Sequence, residues 1–136
     1  MKKALFDTNI ILDVLLDRHP HAEASAAAWG AAEHGRIEGL IAAHAVPTIY
    51  YLVRRGCGNA KAKSILSSVL KVFRVAGVDD LVIVDAMTLR FADFEDAVTA
   101  AAARSAGCDH IVTRDVRGFR DSPVRPIPPE SVGLLL

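Results

Sequence analysis

Aspartates follow two short apolar runs that lie near opposite ends of the sequence. The first run, Ala4-Leu5-Phe6, is followed by Asp7, and the second leads into Thr113-Arg114-Asp115. In open α/β folds, buried strands often present ligand-binding groups at the carboxyl edge of a parallel sheet. The two segments therefore predict one acidic site that is built from distant parts of the chain.

A third acidic group, Asp93, Glu95 and Asp96, opens an alanine-rich segment between these two runs. Helical geometry brings Asp93 and Asp96 to one face. Carboxylates from separate segments repel one another unless a cation or a shared proton neutralises them. Oxygen ligands without cysteine or histidine suit Mg²⁺ or Mn²⁺ better than zinc. We therefore expect a hard divalent metal ion at this site.

Each of these acids also has a local structural explanation. Asp7 and Asp93 could cap the helices that follow them. Asp96 could stabilise the first turn of a helix through the helix dipole. Asp115 could belong to a surface turn. The metal hypothesis therefore depends on the convergence of the acids in space, which sequence alone does not show.

The strands that must position the acids are short. Apolar runs of strand length occur at residues 4–6, 39–43, 81–84 and 110–113. A fifth run at 124–127 lies between prolines, which an edge strand tolerates. Asp85, directly after the third run, is expected to cap the next helix.

Helical patterns separate these runs. The clearest is an amphipathic segment over 59–73 with Asn59 as its expected N-cap. Phe94 and Val98 are expected on the inner stripe of the acidic helix, and Asp13 is expected to face solvent on the first one. Alternation of strands and helices predicts an α/β fold, a three-layer α/β/α sandwich with a central, mainly parallel sheet of four to five strands. The 136 residues fit a single domain over 1–136.

The overall charge balances, but its distribution does not. The 16 cationic and 16 acidic side chains cancel. Gly39 to Val78 contains six cations and no acid, whereas Asp79 to Asp96 contains six acids and one cation, Arg90. This division predicts a positive surface for a polyanion beside a negative pocket. Solvated helices whose lysines maintain solubility are the alternative.

Other classes of protein are disfavoured. Asp7 interrupts the first apolar run too early for a signal peptide, and no apolar stretch is long enough to span a membrane. Cys57 and Cys108 have neither metal-ligand nor disulfide-framework spacing, so we expect reduced thiols in a cytoplasmic protein.

Three motifs in order resemble the PIN-domain ribonucleases, particularly the VapC-type toxins of bacterial toxin–antitoxin pairs. They are Asp7-Thr8-Asn9, the helix start Asp93-Phe94-Glu95-Asp96-Ala97, and Ile111-Val112-Thr113-Arg114-Asp115 followed by Phe119. Their order and spacing match over nearly the whole chain. The resemblance implies a PIN-like fold and a metal-dependent endoribonuclease that hydrolyses RNA.

The resemblance also implies roles for individual residues and partners. Asp7, Asp96 and Asp115 are expected to be catalytic and to hold Mg²⁺ or Mn²⁺. Asp93 is expected as a further metal ligand, and the expected supporting residues are Asn9, Thr113 and Glu95. Expected partners are RNA, a second copy in a homodimer and a small antitoxin. The alanine-rich segment from Ala22 to Ala32 could form an interface or be core.

One departure from the family pattern concerns charge. PIN domains usually carry a further acid, most often glutamate, on the helix after the second strand, where this chain offers Thr48 or His44. Loss of that carboxylate lowers the expected metal affinity unless Asp93 or Glu95 substitutes. The alternative function is therefore a noncatalytic RNA- or partner-binding PIN-like module with a degenerate metal site.

Four arginines are candidate RNA contacts: Arg114, Arg117, Arg54 and Arg55. Ion pairing with neighbouring acids is the ordinary alternative for those beside Asp115. A phosphotransfer domain with Asp7 or Asp85 as phosphate acceptor is disfavoured, because such sites need a lysine late in the fold and the last lysine is Lys71.

Overall fold

The computed structural model describes residues 1–136, which form five strands, six α-helices and a C-terminal 3₁₀ helix. The strands are β1 (Lys3–Phe6), β2 (Glu38–Ala42), β3 (Arg74–Ala76), β4 (His110–Val112) and β5 (Arg125–Ile127). The helices are α1 (Thr8–Leu15), α2 (Ala22–Glu33), α3 (Ala45–Cys57), α4 (Asn59–Val72), α5 (Asp80–Met87) and α6 (Phe94–Ser105), and the 3₁₀ helix is Pro129–Leu135. None of the helices combines the length and apolarity that a bilayer crossing requires.

All five strands are parallel, in the order β3-β2-β1-β4-β5. The predicted parallel sheet is therefore confirmed. Strand β1 lies at its centre, and Leu5 pairs with Leu40 of β2 on one side and Ile111 of β4 on the other. Because the strands are parallel, the residues that follow β1 and β4 emerge at the same edge of the sheet.

The two faces of the sheet bury separate apolar cores, as strand alternation requires. Phe6 packs with helices α1 to α4 and the 3₁₀ helix. Leu5 faces the opposite way and packs with α5 and α6. The result is the predicted α/β/α sandwich. Gly39 is required in β2, because a Cβ there would lie 2.8 Å from the Phe73 ring and 2.9 Å from Cβ of Ala32.

The third strand is not where the sequence predicted it. The run at 81–84 lies in helix α5, and Asp79 caps this helix by accepting a 3.0 Å hydrogen bond from the amide of Val82. A short apolar run does not distinguish strand from helix by periodicity alone. The third strand is β3, which the prediction missed because two of its three residues are exposed.

Four local predictions were also wrong. Asp85 lies within α5 and pairs with Arg104, so it is not a cap. The cap of α4 is Gly58, with φ of 82°, and Asn59 is already helical. Phe94 is 53% exposed and does not belong to an inner stripe. Asp13 is wholly buried, at 0% exposure, where the sequence predicted a solvent-facing residue.

Candidate functional site

A cavity of about 360 Å³ opens at the carboxyl edge of the sheet. Its walls come from the start of α1, from α3, from the start of α6 and from the loop after β4. It is lined by Asp7, Thr8, Asn9, Leu12, Thr48, Leu52, Asp93, Glu95, Asp96 and Asp115. Five carboxylates from three distant segments therefore line one cavity. A larger cavity of about 550 Å³ lies between α2 and the 3₁₀ helix, but it contains no such cluster.

Asp7 joins β1 to α1 and is held from two sides. Its Oδ1 accepts a 2.8 Å hydrogen bond from the amide of Thr8, which caps α1. Its Oδ2 accepts a 2.9 Å hydrogen bond from the hydroxyl of Thr113, a fully buried residue at the end of β4. Burial raises the pKa of Asp7, and the nearby charges of Asp115 and Glu95 add to this effect, although the two hydrogen bonds oppose it.

Asp115 is positioned by the same threonine. Its amide donates a 3.0 Å hydrogen bond to the Thr113 hydroxyl oxygen. Its Oδ1 accepts a 3.0 Å hydrogen bond from the amide of Gly118, which folds the side chain back over the following turn. A Cβ at residue 118 would lie 2.3 Å from Asp115 Oδ2. The glycine thus leaves space for this carboxylate.

The start of α6 supplies the other acids. Asp93 caps the helix and accepts a 3.1 Å hydrogen bond from the amide of Asp96. Burial raises the pKa of Asp96 to about 7, and the charges of Asp7, Asp93, Asp115 and Glu95 all act in the same direction. The local cap predicted for Asp93 is present, and the residue also lines the cavity. Asp93 can therefore cap α6 and also belong to the acidic cavity.

Thr48, and not His44, occupies the α3 wall of the cavity. The Nε2 atom of His44 lies 3.2 Å from the Thr99 hydroxyl on α6, and its Nδ1 atom is buried without a partner. Of the two residues expected where the family usually carries an acid, Thr48 is the one that lines the cavity, and it offers a hydroxyl. This wall contributes no negative charge.

The donor set suits a hard cation in chemistry and charge. Every polar side chain of the cavity offers oxygen, Asn9 also carries an amide nitrogen, and no histidine or cysteine lines the cavity. The pKa of Asp96 is raised first by burial and then by repulsion from the neighbouring acids, and a cation would relieve that repulsion. The side chains are widely separated, however, and no three acidic, histidine or cysteine side chains converge closely enough to hold one ion. The structure therefore brings Asp7, Asp96 and Asp115 to one cavity without forming a closed ligand shell.

The predicted RNA contacts are separated by the fold. The guanidinium of Arg114 binds the buried carboxylate of Asp13, at 2.8 Å and 3.2 Å, and does not line the cavity. Arg117, Arg54 and Arg55 are exposed. Arg54 lies over the ring of Tyr51, with its Cζ atom 5.2 Å from the ring centre.

Sequence reasoning missed two residues that support the site. Gly118 lies three residues after Asp115, a spacing that could have indicated a turn closed by the aspartate side chain. Asp13 gave no signal, because its partners Arg18, Ser25 and Arg114 lie 5, 12 and 101 positions away and no local pattern joins them to it.

Similar folds occur among solved structures. VapBC2 from Rickettsia felis, solved with a DNA fragment from its promoter, matches with a TM-score of 0.72 at 14% identity, over 93% of this chain and 98% of the other. FitAcB from Neisseria gonorrhoeae matches with a TM-score of 0.68 at 22% identity, over 93% of this chain and 97% of the other. The Mycobacterium tuberculosis toxin VapC20 is described as cleaving the sarcin-ricin loop. It matches with a TM-score of 0.64 at 18% identity, over 82% of this chain and 89% of the other.

Comparison with curated proteins gives no significant match. The family model described as PIN domain matches residues 3–117. That match runs from β1 to the loop that carries Asp115, so it includes all three acidic segments whose side chains line the cavity. The chain therefore belongs to the PIN domain family.

Proposed function

We propose that this protein is a metal-dependent ribonuclease that hydrolyses RNA phosphodiester bonds and acts as the toxin of a toxin–antitoxin pair. The observation that carries this proposal is the single cavity lined by carboxylates from β1, α6 and the loop after β4. Membership of the PIN domain family and the fold shared with VapC20 support it. The apolar cores on both faces of the sheet make its edge a rigid frame for these side chains.

Asp7, Asp96 and Asp115 are the proposed catalytic acids. They would hold Mg²⁺ or Mn²⁺, with Asp93 as a further oxygen ligand, once their side chains draw closer together around the ion. When bound, such an ion lowers the pKa of a coordinated water and stabilises charge that develops on the leaving oxygen. Charge balance supports this assignment, because the pKa of Asp96 is raised first by burial and then by the charges of Asp7, Asp93, Asp115 and Glu95, which a cation would offset.

The chain's own residues orient the acids. The Thr113 hydroxyl donates a hydrogen bond to the Asp7 carboxylate, and its oxygen accepts one from the amide of Asp115. Thr113 thereby fixes both residues. Asn9 and Glu95 line the cavity beside the acids and are proposed as supporting residues. Without a cation, burial and the neighbouring acids raise the pKa of Asp96 to about 7, and a bound cation would favour its ionised, ligating form.

RNA is proposed to reach the cavity along α3. Thr48 and Leu52 of this helix line the cavity, and the helix continues to the exposed pair Arg54 and Arg55. These arginines, together with Arg117 beyond Asp115, could bind phosphates that flank the cleaved bond.

The proposed protein partners are a second copy of the chain and a small antitoxin that covers the acidic cavity. One similar structure carries the name VapBC2, and another is described as a toxin–antitoxin complex from Klebsiella pneumoniae. The folds of both match this chain. An open cavity with exposed carboxylates is well suited to a basic segment of such a partner.

Thr48 supports a second candidate function. A hydroxyl in place of the usual acid removes one negative charge from the cavity wall. A noncatalytic PIN-like module with a degenerate metal site, which binds RNA or a protein partner, is therefore the alternative.

The deciding experiment compares the wild type with Asp7→Asn, Asp96→Asn and Asp115→Asn on a panel of RNAs. Asp121→Asn, an exposed aspartate outside the cavity, is the matched control. Cleavage in Mg²⁺ or Mn²⁺ should disappear in chelator and in the three cavity variants, but persist in the control. RNA binding without any cleavage would favour the alternative module. Cleavage that continues unchanged in chelator and in all three variants would exclude the proposed site.

A further inference from the structure

Asp13 is the most completely buried charged group of the protein and lies outside the acidic cavity. Its Oδ1 accepts hydrogen bonds from Arg18 Nε at 3.0 Å and Arg114 Nη2 at 3.2 Å. Its Oδ2 accepts from Arg114 Nε at 2.8 Å and Ser25 Oγ at 3.0 Å. A buried carboxylate is tolerated only when it is paired and hydrogen-bonded in this way. Four donors on one carboxylate make a fixed junction.

One arm of this junction leads to the first acidic segment. Arg18 Nη2 donates to the backbone carbonyl of Asn9 at 3.1 Å and approaches its side-chain oxygen at 3.4 Å. Asn9 lines the cavity two residues after Asp7. Asp13 therefore acts on this cavity wall through Arg18.

The other arm leads to the last acidic segment. Arg114 presents two nitrogens to the two oxygens of Asp13, a forked arrangement that limits rotation of the guanidinium. Its neighbours along the chain are Thr113, which bonds Asp7, and Asp115. The fork thus restrains the residue between two members of the site.

We propose that Asp13 is a positioning residue that aligns the Asp7 and Asp115 segments through Arg18 and Arg114. Arg114 is then a structural link and not an RNA contact. The inference deepens the proposed nuclease function and rests on it for its catalytic consequence. Its physical basis is that charge-assisted hydrogen bonds to a buried carboxylate are strong and directional, so that two arginines on one carboxylate hold both segments at a fixed separation.

Two conservative variants break the arms, and one control leaves them intact. Arg114→Lys keeps the charge but loses the fork, because a lysine ammonium is a single point donor. Arg18→Lys likewise loses the simultaneous contacts with Asp13 and Asn9. Ser25→Ala removes a donor from the same buried carboxylate, but Ser25 lies on α2 and touches neither acidic segment. All three should lower the unfolding temperature.

Amide hydrogen exchange separates positioning from general destabilisation, and it requires no catalysis. In Arg114→Lys, the amides of Asp115 and Gly118 should exchange about tenfold faster relative to amides of the central strands, which reflects local opening. Arg18→Lys should have this effect on the amide of Thr8. Ser25→Ala should change all amides uniformly. Equal patterns in Arg114→Lys and Ser25→Ala, or unchanged local exchange in Arg114→Lys, would overturn the proposal.

Steady-state cleavage gives the catalytic test. Arg114→Lys should lower kcat about tenfold or more with KM unchanged, because misplaced groups lose transition-state contacts and not ground-state binding. Ser25→Ala should leave both constants within about twofold, as expected for a change away from the reacting groups. A raised KM with unchanged kcat would identify Arg114 as an RNA contact and overturn the inference. If the wild type does not cleave RNA, the proposed function fails, and the exchange pattern still decides the positioning role.

Discussion

The hydroxyl of Thr113 donates a 2.9 Å hydrogen bond to Oδ2 of Asp7, although the two residues lie 106 positions apart. The same oxygen accepts a 3.0 Å bond from the amide of Asp115. One buried hydroxyl thereby links two of the proposed catalytic acids. Neighbouring parallel strands make this possible, since β1 and β4 end side by side.

Replacement of this hydroxyl should disrupt the site more than the fold. Thr113→Val keeps the shape but removes the donor to Asp7, and a hydrogen bond to a charged group contributes about 1.5–3 kcal/mol. We expect RNA cleavage and Mg²⁺ affinity, measured by calorimetry, to fall at least about tenfold. Thr113→Ser retains the hydroxyl and should keep most activity. Similar losses in both variants would show that the methyl group, and not the hydrogen bond, matters.

Substitution of Gly118 should move Asp115. In Gly118→Ala the new Cβ would lie 2.3 Å from Asp115 Oδ2, so this exposed carboxylate must rotate away. The rotation is inexpensive for folding, but a displacement of about 1 Å can lower a catalytic rate about 100-fold. Kinetics and thermal unfolding measured together test this. Gly133→Ala, where a Cβ meets nothing within 4 Å, is the matched control. Full activity in Gly118→Ala would contradict the proposed role of Asp115.

The raised pKa of Asp96 predicts a pH-dependent stability in chelator. The ordinary value of 3.8 applies to the unfolded chain, whereas burial and the neighbouring acids raise the folded value to about 7. Below the lower value both states are protonated, so this group has no effect. As pH rises from 3.8 to about 7, the unfolded chain loses this proton while the folded protein keeps it, so the unfolded state is favoured and stability falls.

Urea unfolding of the wild type and Asp96→Asn in chelator tests this pH dependence. The variant should gain stability relative to the wild type between pH 4 and pH 7.5, because asparagine does not ionise. Addition of Mg²⁺ at pH 7.5 should stabilise the wild type and reverse the difference. A difference that is constant with pH would mean that burial and the neighbouring acids do not raise the pKa of Asp96.

Restoration of a carboxylate on α3 should strengthen metal binding. Thr48→Glu adds a negative charge to the cavity wall that now carries a hydroxyl. We expect Mn²⁺ affinity to rise at least about tenfold, the effect of ~1.4 kcal/mol from one added charge near the cation. Thr48→Gln has the same size without the charge and should not show this gain. In chelator, Thr48→Glu should be less stable than Thr48→Gln. Equal Mn²⁺ affinity in the two variants would place residue 48 too far from the metal to interact with it.

Local patterns were sufficient for the frame of the site. Short apolar runs predict four of the five strands, and the acids lie directly beside them. The helical segments between these runs predict the parallel arrangement. Such patterns can be recognised because each spans only a few residues. The exceptions show the limit of such signals. The run at 81–84 is equally compatible with a helix, and the cap supplied by Asp79 decides the matter. Strand β3 is exposed at the edge and carries no buried run.

The sequence by itself determined which acids could act together, because strand ends and a helix start place them at one edge of a parallel sheet. Only the tertiary structure decided what holds them. Asp13 resembles any polar helix residue until Arg18 and Arg114 meet it across 5 and 101 positions, and Thr113 gains its role only when its loop meets Asp7. The pairs Arg114–Asp13 and Thr113–Asp7 join segments more than 100 positions apart, and no pattern along the chain encodes the distance between two atoms that folding brings together.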